Sequence, residues 1–375
     1  MVSINNFDEQ CITFSQMSMI TNTRLFFKSF SIWIRIYILS RYFGIGTEAQ
    51  AFERFYSETS GIGNLLQMAF DRQDVDEISL QLSRFTFAIR DLITAQLHGN
   101  IEAMDQNINR LYQIARNSAS HLASINPYLN EEEWRNLLNT YIQYTIEETN
   151  ALGAGDYSTY ISYNELISNH TNKMGDVLAE SLYNYIISGY TLTPQSDMQC
   201  ITYEEMNQIF RLRIAWNEIN TRTNMYMLSR YLGIVDAEAV KAFLNQFMLE
   251  YTDLVQQFFD TDIGSYPQEL EEYVNLIDSL ITAQIDGNVN EINRITQLLY
   301  ENADQRAVSF ASLNPLWNET EWRSRLYNRL RYTIDQSTAY LRGDYSSGLD
   351  ILRTLLDISE NAGDYLARSI FAYLT

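Results

Sequence analysis

Apolar residues along this chain return every three or four positions. Between residues 101 and 122 they fall at Ile101, Met104, Ile108, Leu111, Ile114, Ala115, Ala119 and Leu122. That spacing gathers side chains on one face of a helix. Trp134, Leu137, Leu138, Tyr141, Ile142, Thr145 and Ile146 follow the same rule. Two-residue alternation, the mark of a half-buried strand, is scarce. Stop signals separate the periodic stretches. His98-Gly99-Asn100 and Asp286-Gly287-Asn288 read as tight helix-to-helix turns, with glycine supplying the left-handed stop. Asn126-Pro127 and Asn314-Pro315 end helices, because the residue before proline avoids the helical region. Asn130 and Asn318 read as N-caps, with Glu133 and Glu321 placed for a capping box. Gly155-Asp156 and Gly343-Asp344 read as a further joint. In the first half this predicts helices near 12–42, 48–70 (shorter, or broken at Gly61-Ile62-Gly63), 75–98, 101–124 and 131–153. A long final stretch covers 157–186.

The stop signals come in pairs because the chain contains itself twice. LITAQLHGN (92–100) returns as LITAQIDGN (280–288), and SINPYLNEEEWR (124–135) as SLNPLWNETEWR (312–323), both displaced by 188 residues. CITFSQM (11–17) returns as CITYEEM (200–206), and LSRYFGI (39–45) as LSRYLGI (228–234), displaced by 189. GDY at 155–157 returns at 343–345, and Gly175-Asp176 at Gly363-Asp364. One single-residue gap between 45 and 92 reconciles the two displacements. Whole domains are duplicated here, since a solenoid would repeat every 20–50 residues or so. The expected organisation is an all-α protein of two tandem antiparallel bundles, four-helix-bundle-like. One bundle occupies 1–187, a turn-rich linker 188–199, and the second bundle 200–375.

Composition narrows the function classes. The net charge is −21 over 375 residues. Divided at residue 188, the halves carry −9 and −12, so both would repel a phosphate backbone, and no nucleic acid is expected as partner. Of 26 basic residues only Lys28, Lys173 and Lys241 are lysines, and there are 26 tyrosines. Interfaces favour Tyr and Arg over Lys. The most apolar stretch, LFFKSFSIWIRIYILSRYFGI (25–45), is interrupted by Lys28, Arg35 and Arg41. It reads as a buried amphipathic helix, and a membrane is disfavoured as partner. The start of the chain, MVSINNFDEQ, lacks the basic-then-apolar order of a secretory signal. A cytoplasmic site of synthesis is therefore expected. Cys11 and Cys200 read as two reduced, half-buried thiols of an intracellular protein.

Candidate chemistry is sparse. A ferritin-like iron site needs Glu-x-x-His motifs, and none of the three histidines has that glutamate. His98 becomes Asp286 in the second repeat, His121 becomes Ser309, and His170 falls opposite Asn or Glu near 358–360. GIGTEA (44–49), GIGN (61–64) and GAGD (153–156) complete no phosphate-binding pattern. No Gly-x-Ser-x-Gly elbow occurs. Glu131-Glu132-Glu133 suits a helix start, and Glu147-Glu148, only partly echoed by Asp335-Gln336, reads as a solvated face. No catalytic, cofactor or metal residue is expected, and the chain is not expected to be an enzyme.

Several of these motifs resemble an uncharacterised family of bacterial helical bundles, common in spore-forming Firmicutes and often labelled acetylglutamate kinase. The family pattern opens Trp-x-x-His-x-x-Trp-Thr-Arg, continues through Asn-Ala-Asp to a Ser-x-Asn-Pro, and closes near Met-Ala-Asp. Trp216, Trp33 and Arg35 match parts of the opening. NADQRAVSFASLNP (302–315), EWRSRLYNRLRYT (321–333) and EWRNLLNTYIQYT (133–145) match the middle, and Met174-Gly175-Asp176 and Ala362-Gly363-Asp364 the close. The resemblance spans nearly the whole chain. It implies a helical bundle and, in those relatives, histidines that converge inside it as metal ligands would. Here the corresponding positions are Phe30 and Ile219, Phe85 and Tyr273, and Tyr141 and Arg329. Whatever those histidines do, this chain is expected not to do it. Nothing in it cradles a nucleotide either. The leading expectation is a non-catalytic structural or self-assembling protein, such as a spore-associated layer, filament or crystalline inclusion, whose partner is itself. The alternatives are a membrane-active or receptor-binding helical toxin-like protein, and a carboxylate-only metal-binding bundle.

Overall fold

A computed structural model describes residues 12–67, 69–188, 199–259 and 262–375. Among the described residues the protein is all-α apart from one two-stranded ladder. Strand β1 (Ile12–Thr13) is followed by α1 (Phe14–Phe43), α2 (Glu48–Ser57), α3 (Thr59–Leu66), α4 (Arg72–Leu97), α5 (Ile101–Ile125), α6 (Glu131–Gly153) and α7 (Tyr157–Ser188). The second repeat opens with β2 (Cys200–Ile201). It continues with α8 (Tyr203–Leu232), α9 (Ala237–Phe259), α10 (Tyr266–Ile285), α11 (Val289–Ala311), α12 (Glu319–Leu341) and α13 (Tyr345–Leu374). The chain forms two compact units, one holding residues 15–198 and the other residues 1–14 with 199–375. Residues 12–14, which open the first repeat in sequence, thus belong with the second. Most of the expected linker lies outside the described residues.

Turn chemistry fixes the joints. Gly99 and Gly287 take φ of 63° and 67°, and the N–H of the following asparagine donates back to Ala95 and Ala283, each at 3.0 Å. The side chains of Asn100 and Asn288 then accept from Ala103 and Glu291 to cap the next helix. One three-residue turn therefore closes one helix and opens another. Gly155 and Gly343, both at 72°, repeat the device with Asp156 and Asp344 as caps. Asn126 and Asn314, both fully buried, accept from the N–H of Tyr128 and Leu316 across the proline. Asn130 and Asn318 do cap α6 and α12. The reciprocal half of the expected box is not formed at either, and the complete capping box among the described residues is Thr202–Glu205 at α8. The expected break at Gly61-Ile62-Gly63 also moves, because those residues lie inside α3. The helix is interrupted at Glu58. There Ser57, Thr59 and Ser60 donate their hydroxyls to the carbonyls of Arg54, Tyr56 and Ser57, each at 2.7 Å, which competes with helical bonding.

Each unit is organised round its first long helix. In the first unit α1 meets α2 through Phe30 and Phe55, α4 through Phe30 and Phe85, α6 through Ser31 and Tyr141, and α7 through Arg24 and Asp176. In the second unit α8 touches α9, α10, α12 and α13. Both central helices are buried on nearly all sides, Ile32–Ile34 and Ile36–Ser40 without interruption in α1. Residues 30–40 of the 25–45 stretch are thus buried on nearly all sides rather than along one face, and no described helix is long and apolar enough to cross a membrane.

The repeated sequence motifs are pairs that touch. Arg41 and Arg230, from the two LSRY motifs, donate to Thr94 and Thr282 of the two LITAQ motifs, at 3.2 and 3.0 Å. Tyr42 and Tyr231 donate to Gln96 and Gln284, whose amides reach on to Thr149 and Thr338. The repeated Gly-Asp does more. A Cβ on Gly175 would lie 2.7 Å from the Arg24 Cα, and one on Gly363 2.6 Å from the Arg213 carbonyl oxygen. Only glycine lets the long helices come this close. The next residue, Asp176 or Asp364, then pairs with the same arginine, Arg24 or Arg213.

The thiols are not as the sequence suggests. β1 pairs antiparallel with β2, Ile12 opposite Ile201 and Thr13 opposite Cys200, and Cys200 is held in a disulfide. The expectation of two reduced thiols is corrected accordingly. The chain's other cysteine, Cys11, lies outside the described residues. The misreading has a physical cause: equivalent positions in two repeats look like two copies of one buried thiol, and the sequence cannot show that the two segments meet.

Two outcomes are expected. Gly363→Ala should destabilise its unit by about 1–3 kcal/mol or more in urea unfolding, because the methyl meets backbone that cannot yield. Cys200→Ser should cost on the order of 2–5 kcal/mol, and thiol titration of the unfolded, unreduced protein should find no free thiol at Cys200.

Candidate functional site in the bundle interior

The positions that the resemblance assigns to histidine do converge in space. In the first unit Phe85 lies with its ring centre 6.1 Å from that of Phe30 and 6.3 Å from that of Tyr141. All three are buried. The Tyr141 hydroxyl meets Ser31 at 2.9 Å, and Ser31 donates onward to the Phe27 carbonyl. The place is filled, neutral and self-satisfied.

Behind it, towards the far end of α1, sits a charge the sequence hides. Glu148 is 2% exposed and pairs with Arg35 at 3.3 Å. Asn164 donates to the same carboxylate oxygen at 2.8 Å. The solvated-face reading of Glu147-Glu148 is therefore corrected for Glu148, which points inward from α6. Burial pushes its carboxyl above the usual carboxylate range, against the opposing pull of Arg35. The second repeat places Gln336 and Asn224 here, joined at 3.0 Å. A buried ion pair in one repeat is a neutral amide pair in the other.

The second unit fills the histidine positions differently. Ile219 is buried on α8, while Tyr273 and Arg329 face each other, the guanidinium carbon 5.5 Å from the ring centre. A second guanidinium, Arg306, lies 4.5 Å from the same ring. Both arginines are buried, at 2% and 4% exposure. Arg306 Nε donates to Asn302 at 2.8 Å and Arg329 Nε to Asn220 at 2.7 Å. Asn220 is anchored by Ser359 at 2.7 Å, and Asn302 by the Glu269 carbonyl at 2.8 Å. Glu269 accepts from Ser265 and Ser309 through one carboxylate oxygen only. Trp216, Trp322, Phe310 and Tyr266 wall the cluster with stacked and edge-on rings. Burial pulls Arg306 down to about 10, and the neighbouring Arg329 charge adds to this while Tyr273 opposes it.

The histidines do not meet. His98 donates to the Thr94 carbonyl within its own turn, His121 lies 3.7 Å from Asp74, and His170 meets the Leu137 carbonyl. Among the described residues no three His, Cys, Asp or Glu are grouped to hold a metal ion. An open groove beside α10 is lined by Glu269, Glu271, Glu272, Asn275 and Gln305. Its acidic rim lies next to the buried arginines and has the opposite sign. Sequence reasoning placed Arg329 among the altered histidine positions and missed Arg306. The clue to both was register, since Trp322, Leu326, Arg329 and Thr333 recur at helical spacing, as do Leu299, Ala303, Arg306 and Phe310. No family model, curated protein or solved structure matches the chain.

The Glu148 contrast gives a pH prediction. A carboxyl raised in the folded state favours folding below its unfolded pKa and loses that contribution as pH rises through the folded value. Arg35→Asn with Glu148→Gln imports the second repeat's neutral pair. It should be neutral to about 4 kcal/mol stabilising at pH 7, with an advantage that shrinks as pH falls towards 4. Urea unfolding across that range checks it. Glu148→Ala alone should destabilise.

Proposed function

We propose that the chain is a non-catalytic structural protein that assembles with copies of itself. The observation that carries this reading is an apolar pair left outside at the same turn of each repeat. Leu97 and Ile101 flank Gly99 at 39% and 72% exposure, and Ile285 and Val289 flank Gly287 at 49% and 65%. A turn needs nothing apolar there, yet the pair is present twice. Two equivalent contact points on one chain allow a contact made at one to be made again at the other, which extends an assembly. The arginine-rich, lysine-poor, tyrosine-rich composition suits such contacts. The filled interior of the first unit, where the resembled family carries histidines, supports a scaffold over a reaction. The Cys200 disulfide favours a setting outside the reducing cytosol, such as a surface layer, over a cytoplasmic inclusion.

Light scattering and electron microscopy of the purified, oxidised chain should show concentration-dependent, ordered species. Ile101→Glu with Val289→Glu should leave helicity and unfolding unchanged and shift the protein to monomer. A wild-type chain that stays monomeric at high concentration removes the reading.

A further inference from the structure

The second unit's core contains more hydrogen-bond donors than it can use. Arg306 Nη1 and Arg329 Nη2 are buried without an acceptor, and the Tyr273 hydroxyl is buried without a partner. Glu269 Oε2 and Asn217 Oδ1 are buried acceptors left over in the same unit. Nitrogens of guanidinium and indole only donate. A bridging water would satisfy hydrogen bonds but bring no charge, so it leaves an excess of positive charge in place. The charges are also unequal. Arg213 and Arg222, the other buried arginines of this core, have Asp364 and Glu218 as partners. Arg306 and Arg329 have no ion pair among the described residues, and only Glu269 is a buried carboxylate near them. Two formal positive charges therefore face one negative, in surroundings where an uncompensated charge is costly. Both guanidiniums lie against the Tyr273 ring, so their carbons are no more than about 10 Å apart.

We propose that the interior of the second bundle binds one small monovalent anion, of the size of a halide or formate, through Arg306, Arg329 and the neighbouring buried donors. A single negative charge equals the excess, and an ion that only accepts meets donors that only donate. The first unit is an internal control. It carries Ser118 for Arg306, Tyr141 for Arg329, Phe85 for Tyr273 and Phe27 for Trp216, and its Tyr141 hydroxyl is already satisfied by Ser31. The acidic groove outside is a poor entry for an anion, so the ion is taken up as the bundle closes and exchanges slowly.

The test uses the full chain, unfolded and refolded in gluconate, a bulky anion that the packed core excludes. Parallel samples are unfolded and refolded in chloride, or in formate, at the same ionic strength. A ligand bound only by the folded state should raise the unfolding midpoint by roughly 3–5 °C per tenfold increase in anion once the site is saturated. Arg306→Ser with Arg329→Tyr, which imports the first repeat's residues, should abolish the dependence. If that variant fails to fold, crystals of the wild-type chain grown in bromide decide the matter. An anomalous peak within hydrogen-bonding reach of both arginines, and none at Tyr141, supports the site. Identical unfolding in chloride, formate and gluconate, or a bromide crystal without a peak at the arginines, overturns it.

Discussion

Everything in each bundle is built against one close approach, that of the first long helix to the last. Gly175 and Gly363 remove the side chain that would keep the helices apart, and Asp176 and Asp364 place a carboxylate beside the arginine that the glycine uncovers. The two residues act together. Without glycine the backbones could not approach, and without aspartate the approach would bury a guanidinium deprived of that carboxylate. Because the clamp joins the start of a repeat to its end, it closes the ring of helices round α1 and α8. The other repeated contacts, Arg41 to Thr94 and Arg230 to Thr282, then fix the opposite end of the same central helices.

Between those fixed ends the interiors have diverged. The first unit packs Phe30, Phe85 and Tyr141 together and keeps one ion pair, Arg35 with Glu148. The second makes that pair neutral and puts two arginines where the first has Ser118 and Tyr141. Each substitution was accommodated by a local partner: Asn220 stands where Ser31 does and holds Arg329, and Asn302 stands where Ile114 does and holds Arg306. The scaffold tolerates a change of charge in its core so long as a neighbour changes with it.

The helices were legible because their punctuation is chemical as well as periodic. Glycine at the left-handed stop followed by asparagine or aspartate at the cap specifies a turn with few alternatives, and all four such joints are present. What stayed hidden depends on distance. Glu148 looks solvated because its neighbour Glu147 is acidic and its partner Arg35 lies 113 residues away. Arg306 and Arg329 sit on arginine-rich helices, where an inward arginine resembles an outward one unless its register against the tryptophans and leucines is followed. The disulfide at Cys200 was hidden for the same reason, since no local pattern reports that residues 12–13 lie beside residues 200–201.

That last pairing sets a timetable. Ile12 and Ile201 are 189 residues apart, so a ribosome adding about 5–20 residues each second needs roughly 10–40 s to supply the second after the first. From Ser15 onwards the helices of the first repeat form a compact unit of their own and can pack as they emerge. The strand that precedes them cannot; its unpaired edge must wait until Cys200 and Ile201 have been added. The earliest described residues thus find their place only after the whole first repeat has been made.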